Sequence, residues 1–472
     1  MKSYIGISIG PVVKTITMVR KPKELWSASY LFSYLAKKII NSLPEGCRLV
    51  SPAKSKDKLG IGLYPDRIYV ECSDGFALND AQEWMDAAWE DFNIGLNLNR
   101  DYFNVMVALC TEENDRDALS SLNARLDMLE LNVFAQDEDR TENVMELLRK
   151  SSDSPLFVDG MDSRRFVVDT LAEIAASQLS AAENKWRSFT AAVQDEEYAG
   201  DPYSELSHCK SYHKYFCVVQ ADGDNVGKAL RTMDDDEIQA FSQALIDFGI
   251  SAKAEIDSYG GFPVYAGGDD LLFLAPVVGK DGRNVLELVD FLNSESFSCV
   301  SDLSKDSAMS LSFGISICYY KHPLYEALNT ARRLLDRAKD VDDKNAVSIR
   351  LEKHSGESFD VTFSKNVKGL WDLIKRLIET ASDGNTVSAV AHKLRRSEFL
   401  LYDILEDPVG REVRLDAYFK NILESDGSPY FTSVKNLVPA LYDALGKEGF
   451  AESIYSMLRI AKFIKGEEPR DE

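Results

Sequence analysis

Two short apolar runs, Pro263 to Ala266 and Leu271 to Pro276, flank the tetrapeptide Gly267-Gly268-Asp269-Asp270. Strand-like runs on either side of paired glycines read as a tight β-hairpin, because glycine reaches positive φ without a Cβ clash. The turn then presents two adjacent carboxylates beside a sheet. Like charges so close repel unless a cation neutralises them, and a hard cation such as Mg²⁺ or Mn²⁺ prefers carboxylate oxygens. Taken alone, the tetrapeptide reads equally as a solvated acidic turn.

Upstream, the apolar run Tyr215 to Ala221 leads straight into Asp222-Gly223-Asp224-Asn225-Val226-Gly227-Lys228. If that strand pairs with the hairpin, Asp222 arrives beside Asp269 and Asp270. Such a triad suits two divalent ions, one lowering the pKa of an attacking hydroxyl and the other steadying a leaving pyrophosphate. Gly223 and Gly227 let backbone approach phosphate, and Asn225 to Lys228 open a helix whose N–H groups face it. The candidate catalytic and metal-binding residues are therefore Asp222, Asp269 and Asp270. Candidates for nucleotide binding are Gly223, Asp224, Gly227, Lys228, Gly267 and Gly268.

The surrounding periodicities order the elements. Ile238, Phe241, Leu245 and Phe248 recur at helical spacing after the first strand. The hairpin follows, then a helix from about Asn284 to Leu292, a strand Met309 to Cys318, a helix Leu324 to Ala338 and a strand Ala346 to Leu351. This is a βαββαβ order with an added tail, the ferredoxin-like layout. Lys339 and Lys344, at the end of the last helix and before the last strand, could reach the β- and γ-phosphates of a triphosphate. A basic helix C-terminus complementing the dipole is the alternative for either lysine. Residues 1–110 repeat the βαββαβ order without a Gly-Gly-Asp-Asp hairpin and read as a degenerate copy. Residues 111–213 read as helix-rich with a polar linker Asp195 to Asp201, 214–352 as the acidic ferredoxin-like unit, and 353–472 as helical with a charged tail from Lys465. The expected class is α+β: two ferredoxin-like units, a helical insert and a C-terminal α-helical domain.

These motifs resemble a known family. Asp222 to Lys228, the acidic hairpin, Ser312-Phe313-Gly314-Ile315-Ser316 and Ala338-Lys339 with Lys344-Asn345 are similar to the palm-domain large subunit of type III CRISPR effector complexes. Tyr4 to Pro11 and Lys23 to Ser33 resemble the opening of its Cmr-type (III-B) branch without a nuclease domain. One departure is Asp343, where the family carries glycine before the Lys-Asn pair. The resemblance implies a metal-dependent nucleotidyltransferase that makes cyclic oligoadenylate from ATP when target RNA is captured. Its partners would be the other subunits of the complex, with guide and target RNA held mainly by those subunits. Some nuclease-lacking members of the branch instead join S-adenosylmethionine to ATP. The sulfonium and ammonium of that substrate call for acid, and Asp66, in Tyr64-Pro65-Asp66-Arg67, is the candidate; a surface turn pair of Asp66 with Arg67 is the other reading. Two further alternatives are a diguanylate cyclase, which shares the hairpin, and an inactive scaffold.

Composition bounds the rest. A formal net charge of −23 over 472 residues argues against a broad nucleic-acid grip, although Lys393, Arg395 and Arg396 form a small basic patch. Seven cysteines without regular spacing point to a reducing cytoplasm, and no apolar run is long enough for a membrane span. None of the five histidines precedes an aspartate, so no intrinsic DNase of His-Asp type is expected. His208, Cys209, His213 and Cys217 could be offered as a zinc set, although Cys217 falls within an apolar strand.

Overall fold

The computed structural model describes residues 1–55, 60–73, 75–131, 138–150, 168, 170–179, 209–303, 308–381, 384–424 and 427–466. The first sheet is antiparallel, with strands β1 (Lys2–Gly10), β2 (Arg48–Ser51), β3 (Arg67–Cys72) and β4 (Asn104–Glu112) in the order β2-β3-β1-β4. Helices α1 (Pro22–Asn41) and α2 (Leu78–Phe92) complete the ferredoxin-like order. Leu25, Leu31, Leu35 and Ile39 recur along one face of α1 and are buried beside Ile5, Ile7 and Ile9 of β1. Helix α3 (Asp115–Glu130) packs Leu122 and Leu126 against Gly6 on the other side.

The second sheet has strands β5 (Tyr215–Asp224), β6 (Phe262–Gly267), β7 (Asp270–Pro276), β8 (Ser310–Tyr319), β9 (Ala346–Glu352) and β10 (Ser358–Ser364), ordered β10-β9-β8-β5-β7-β6. β5 pairs antiparallel with both β7 and β8 at its centre, and its apolar run reflects burial on both faces. Cys217 and Val219 share a core with Phe241 and Phe248 of α4 (Asp235–Tyr259). Phe216 and Val218 share theirs with Leu328 and Ala331 of α6 (Leu324–Lys339) and with α1. The short helix α5 (Val285–Phe291) follows β7, and α6 carries the chain from β8 to β9, which lie parallel.

The two sheets are joined through the outer edge of the second. Gly62 bridges Tyr265 of β6, Ala266 N donates to Gly62 O at 2.8 Å, and Ser29 Oγ of α1 donates to Val264 O at 3.3 Å. This covers a strand edge that would otherwise expose unpaired backbone groups. It also brings the segment before β3 against the acidic hairpin.

One element departs from the sequence reading. Helices were expected from about residue 354, but Ser358–Ser364 forms β10, antiparallel to β9. Its Phe359, Val361 and Phe363 are buried, a period-two pattern short enough to be lost among the helical repeats that follow. Those helices are α7 (Leu370–Thr380), α8 (Gly384–Arg396), Glu398–Leu405, Arg411–Asn421 and α9 (Pro429–Lys465), the last kinked at Gly446. The linker Asp195 to Asp201 lies outside the described residues.

Candidate active site

Asp269 and Asp270 stand where β6 turns into β7. Gly267 pairs with Asp270, leaving Gly268 and Asp269 as the turn, and Gly268 takes φ 67°, a value that suits glycine. Ala221 of β5 lies opposite Leu271 of β7, so Asp222 runs alongside Asp270 as the pattern predicts. The Asp269 carboxylate packs over Gly223, where a Cβ would stand 2.6 Å from Oδ2. No larger residue fits at Gly223 without moving that acid. Burial and then the Asp222 charge push the Asp269 pKa up to about 6. Asp270 is solvent-accessible but enclosed by the cleft, and burial followed by Asp269, Asp222 and Asp66 raises its pKa well above the ordinary value. Uncompensated negative charge is the electrostatic condition a hard divalent cation relieves.

Lys339, the last residue of α6, answers part of that charge. Its Nζ lies 2.9 Å from Asp222 Oδ2 and 3.0 Å from Asp224 Oδ1, and donates to Gly223 O at 2.6 Å. Asp222 remains 38% exposed, whereas Asp224 is fully buried. Asp224 Oδ2 accepts from Ser310 Oγ at 2.8 Å, Ser312 Oγ at 2.8 Å and Asn345 N at 2.9 Å. Asp224 is therefore an anchor for Lys339 and for the loop before β9, not a residue open to a nucleotide, which corrects its expected role.

Gly227 and Lys228 are exposed on the short helix Val226–Leu230, entered through Asn225 at φ 62°. Asp343, Lys344 and Asn345 have φ of 61°, 52° and 46°, a run of left-handed residues that turns Asn345 N toward Asp224. Lys344 is half-buried, and its carbonyl accepts from Ser364 Oγ at 3.1 Å. Asp343 thus occupies a conformation natural to glycine, one that Asp tolerates better than most residues.

Asp66 reaches the site from the first sheet. Its charge is among the causes that raise the pKa of Asp270 and of Tyr265; Asp66 is solvent-accessible but crowded by surrounding protein, and that desolvation, followed by the opposing influences of Arg67 and Glu130, leaves its own pKa raised. Arg67 does not engage Asp66 as a side-chain turn pair; it binds Asp127 at 2.6 Å and Glu130 at 2.9 Å.

Two residues escaped the sequence reading. Tyr265 packs its hydroxyl against Gly267, and burial, then Asp270, Asp66 and Asp269, push its phenol pKa far up. Alternation along β6 was the available signal. Lys365, just after β10, donates to Leu311 O at 3.3 Å and lies 4.9 Å from the Phe313 ring centre, and burial depresses its pKa to about 7. It was invisible while β10 was read as helix.

The zinc set does not assemble as offered. His208 lies outside the described residues; His213 accepts from Lys210 N at 2.8 Å through Nδ1 and meets Gln178 Oε1 at 2.6 Å through Nε2, and burial lowers its pKa to about 4. Cys217 is wholly buried in the β5 core. The basic patch is a solvated face: Lys393 pairs with Glu424 at 3.5 Å and Arg395 with Glu452 at 3.8 Å.

Two ferredoxin-like units packed side by side, one bearing a Gly-Gly-Asp-Asp hairpin beside an acidic strand end, define a palm-domain protein of the nucleotide-cyclase-like class. Residues 215–348 match the family model described as Cas10/Cmr2, second palm domain, and residues 4–93 match CRISPR-associated protein Cmr2, N-terminal. The CRISPR system Cmr subunit Cmr2 of Pyrococcus furiosus is 32% identical over 173 residues, which span 31% of this chain and 19% of that relative. Among solved structures, the type III-B Cmr-beta apo state superposes with a TM-score of 0.62 at 12% identity, covering 99% of this chain and 82% of that one. The same assembly bound to cognate target RNA gives 0.64 at 11% identity over 98% and 83%. A Csm1-Csm4 cassette in complex with cA3 gives 0.53 at 15% identity over 98% and 69%. The second ferredoxin-like unit is thus a palm domain of the Cas10/Cmr2 type, and the first carries the N-terminal signature of Cmr2. No helix among the described residues is long and apolar enough to cross a membrane.

Proposed function

We infer that this chain is the nucleotidyltransferase subunit of a type III-B CRISPR complex, joining ATP to an acceptor hydroxyl with release of pyrophosphate. The observation that carries the reading is the convergence of Asp222, Asp269 and Asp270, with burial and mutual repulsion raising the pKa of the hairpin pair. An all-carboxylate donor set suits Mg²⁺ or Mn²⁺, and the Lys339 ammonium already stands beside Asp222 as a cation would. A divalent ion held by these acids would supply a lowered pKa for the acceptor hydroxyl and neutralisation of the leaving pyrophosphate. The chain's own residues do the positioning. Lys339, fixed by Asp224, offers a point charge to the triphosphate, and the Gly267-Gly268 turn and Gly223 let backbone approach it. Lys228 and Lys344 are outer candidates for the same phosphates. The cleft toward the first sheet takes the acceptor.

Cyclic oligoadenylate is the default product, consistent with the cA3 bound by the Csm1-Csm4 relative. Partner subunits, guide RNA and target RNA follow from the likeness to the Cmr-beta assembly bound to target RNA. The test supplies the complex with labelled ATP, Mg²⁺ or Mn²⁺ and target RNA and identifies products by mass spectrometry. Oligoadenylates that depend on target RNA support the reading; no nucleotide product under any of these conditions overturns it.

A second reading is favoured by Asp66. A carboxylate facing the acceptor side suits a sulfonium and an ammonium, so S-adenosylmethionine would be the acceptor. A hydroxyl of that molecule would attack the α-phosphate of ATP, forming one P–O bond while the bond to pyrophosphate breaks.

A further inference from the structure

At the end of the second sheet remote from the acidic hairpin, three chemically different side chains converge. Cys318 of β8, His322 in the loop before α6 and Glu352 at the end of β9 place one ligand atom each within 4.8 Å of one another. β8 and β9 bring Cys318 and Glu352 directly opposite in parallel register. The loop Tyr320 to Pro323 returns His322 over them, held by its backbone N–H donating to Tyr319 O at 2.8 Å.

We propose that Cys318, His322 and Glu352 form a binding site for a borderline-soft divalent cation, Zn²⁺, which ties β8, β9 and the start of α6 together. Three points of geometry support it. The His322 ring has Nδ1 3.8 Å from Glu352 Oε1 and Nε2 3.7 Å from Glu326 Oε2, both too long for hydrogen bonds. An ion on the Nδ1 side would draw in Cys318 and Glu352, leaving Nε2–H to Glu326 as the carboxylate that orients a metal-bound imidazole. Cys318 is buried at the floor, while His322, Glu352 and Glu326 are 17%, 33% and 48% exposed, so an ion has a path from solvent.

Charge agrees with a divalent occupant. A thiolate and two glutamates make three negative charges, and the nearest cation, Arg350, is shared between Glu352 at 3.8 Å and Asp360 at 3.6 Å, so the cluster keeps an excess of negative charge that a divalent ion relieves. The thiolate excludes Mg²⁺ and Ca²⁺ as occupants, and three protein ligands leave one position of a zinc tetrahedron open to water. The site stands six residues along β8 from Ser312, roughly 20 Å at strand spacing, so it is separate from the nucleotide site.

The test strips the full-length chain with chelator and titrates it with Zn²⁺, and in parallel with Co²⁺, under excess Mg²⁺ to fill the acidic hairpin. The expected result is tight zinc binding and a thiolate-to-cobalt charge-transfer band. Both should survive in the Asp269→Ala/Asp270→Ala double variant. Cys318→Ser should abolish the band, and His322→Gln should weaken zinc binding by at least about tenfold. If Cys318→Ser does not fold, His322→Gln, altering a partly exposed loop residue, decides the matter by the same titration. A missing band, or zinc binding unchanged in His322→Gln, overturns the proposal.

Discussion

The Lys339 ammonium sits 2.9 Å from the Asp222 carboxylate, at the point where the end of α6 meets the end of β5. Its second partner, Asp224, is fully buried and fixed by two serine hydroxyls and the Asn345 N–H. The arrangement makes Asp224 a positioning residue and Lys339 the charge that faces a triphosphate. Lys339→Met should lower the rate by about 10- to 100-fold, as expected for lost electrostatic stabilisation. It should also cost roughly 3 kcal/mol of stability by leaving Asp224 buried without its ion pair. Asp224→Asn keeps one oxygen for Ser310, Ser312 and Asn345 N but turns an NH2 donor toward Lys339, so it should raise KM through a misplaced Lys339 with a smaller effect on unfolding. Steady-state kinetics beside chemical denaturation separate these outcomes. Equal KM and kcat effects in both variants would remove the distinction.

Replacing Asp269 and Asp270 together with Ala should abolish nucleotide product while the complex still assembles. The same variant should unfold at an equal or higher temperature than the parent without divalent ions at neutral pH, because it removes two carboxylates held against their own repulsion. Product formation at the parent rate would end the assignment of these acids.

The hairpin also predicts how pH and metal interact. The folded-state pKa of Asp269 is raised to about 6. The fold therefore favours the protonated acid, and its stabilising effect is complete below the ordinary carboxylate pKa and lost as pH rises through about 6. Asp270 shifts in the same direction. A divalent ion needs the ionised form. Mg²⁺ should raise the melting temperature clearly at about pH 7.5 and little at about pH 5, and activity should fall as pH drops through about 6. A Mg²⁺ effect equal at both pH values would contradict the coupling.

What the sequence made legible follows physical range. The hairpin, the strand ending at Asp222 and α6 are local patterns, and register alone brings Asp222 beside Asp270. The roles of Asp224 and Lys339 depend on Ser310, Ser312 and Asn345, contacts from elements up to 121 residues away that no local spacing encodes. The place of Tyr265 depends on Gly62, from the connection between β2 and β3, which pairs with it across a stretch of sequence that no local pattern spans. β10 was concealed because its alternation spans only Ser358–Ser364 before strong helical periodicity resumes.

Asp343 offers a test of backbone strain. It holds φ 61° in the run that aims Asn345 at Asp224, a position suited to glycine. Asp343→Gly should leave product formation within about twofold and change stability by no more than about 1 kcal/mol, since relief of strain and added chain entropy oppose each other. Asp343→Val should cost about 1–2 kcal/mol and slow the reaction, because a β-branched residue resists that φ. Thermal unfolding and ATP turnover on the three proteins decide it. If Val proves as stable as Asp, the loop relaxes and the strain argument fails.

The acceptor is tested through Asp66. This carboxylate stands just before β3, and its charge contributes to the raised pKa values of Asp270 and Tyr265, so it lies near the hairpin. Adenosine triphosphate as acceptor brings negative phosphates toward it, whereas S-adenosylmethionine brings a sulfonium and an ammonium. Asp66→Asn removes the charge and keeps the shape. If the acceptor is cationic, the variant should lose about 1–2 kcal/mol of acceptor binding, a rise in KM for S-adenosylmethionine of about 5- to 30-fold, with KM for ATP nearly unchanged. If ATP is the acceptor, Asp66→Asn should leave oligoadenylate formation equal or slightly faster, since a repulsive charge has gone. Mass spectrometry with both substrates present reads the two products in one reaction. Only oligoadenylates from the parent protein, with no adenylylated conjugate, would exclude the sulfonium acceptor and leave the oligoadenylate reading standing.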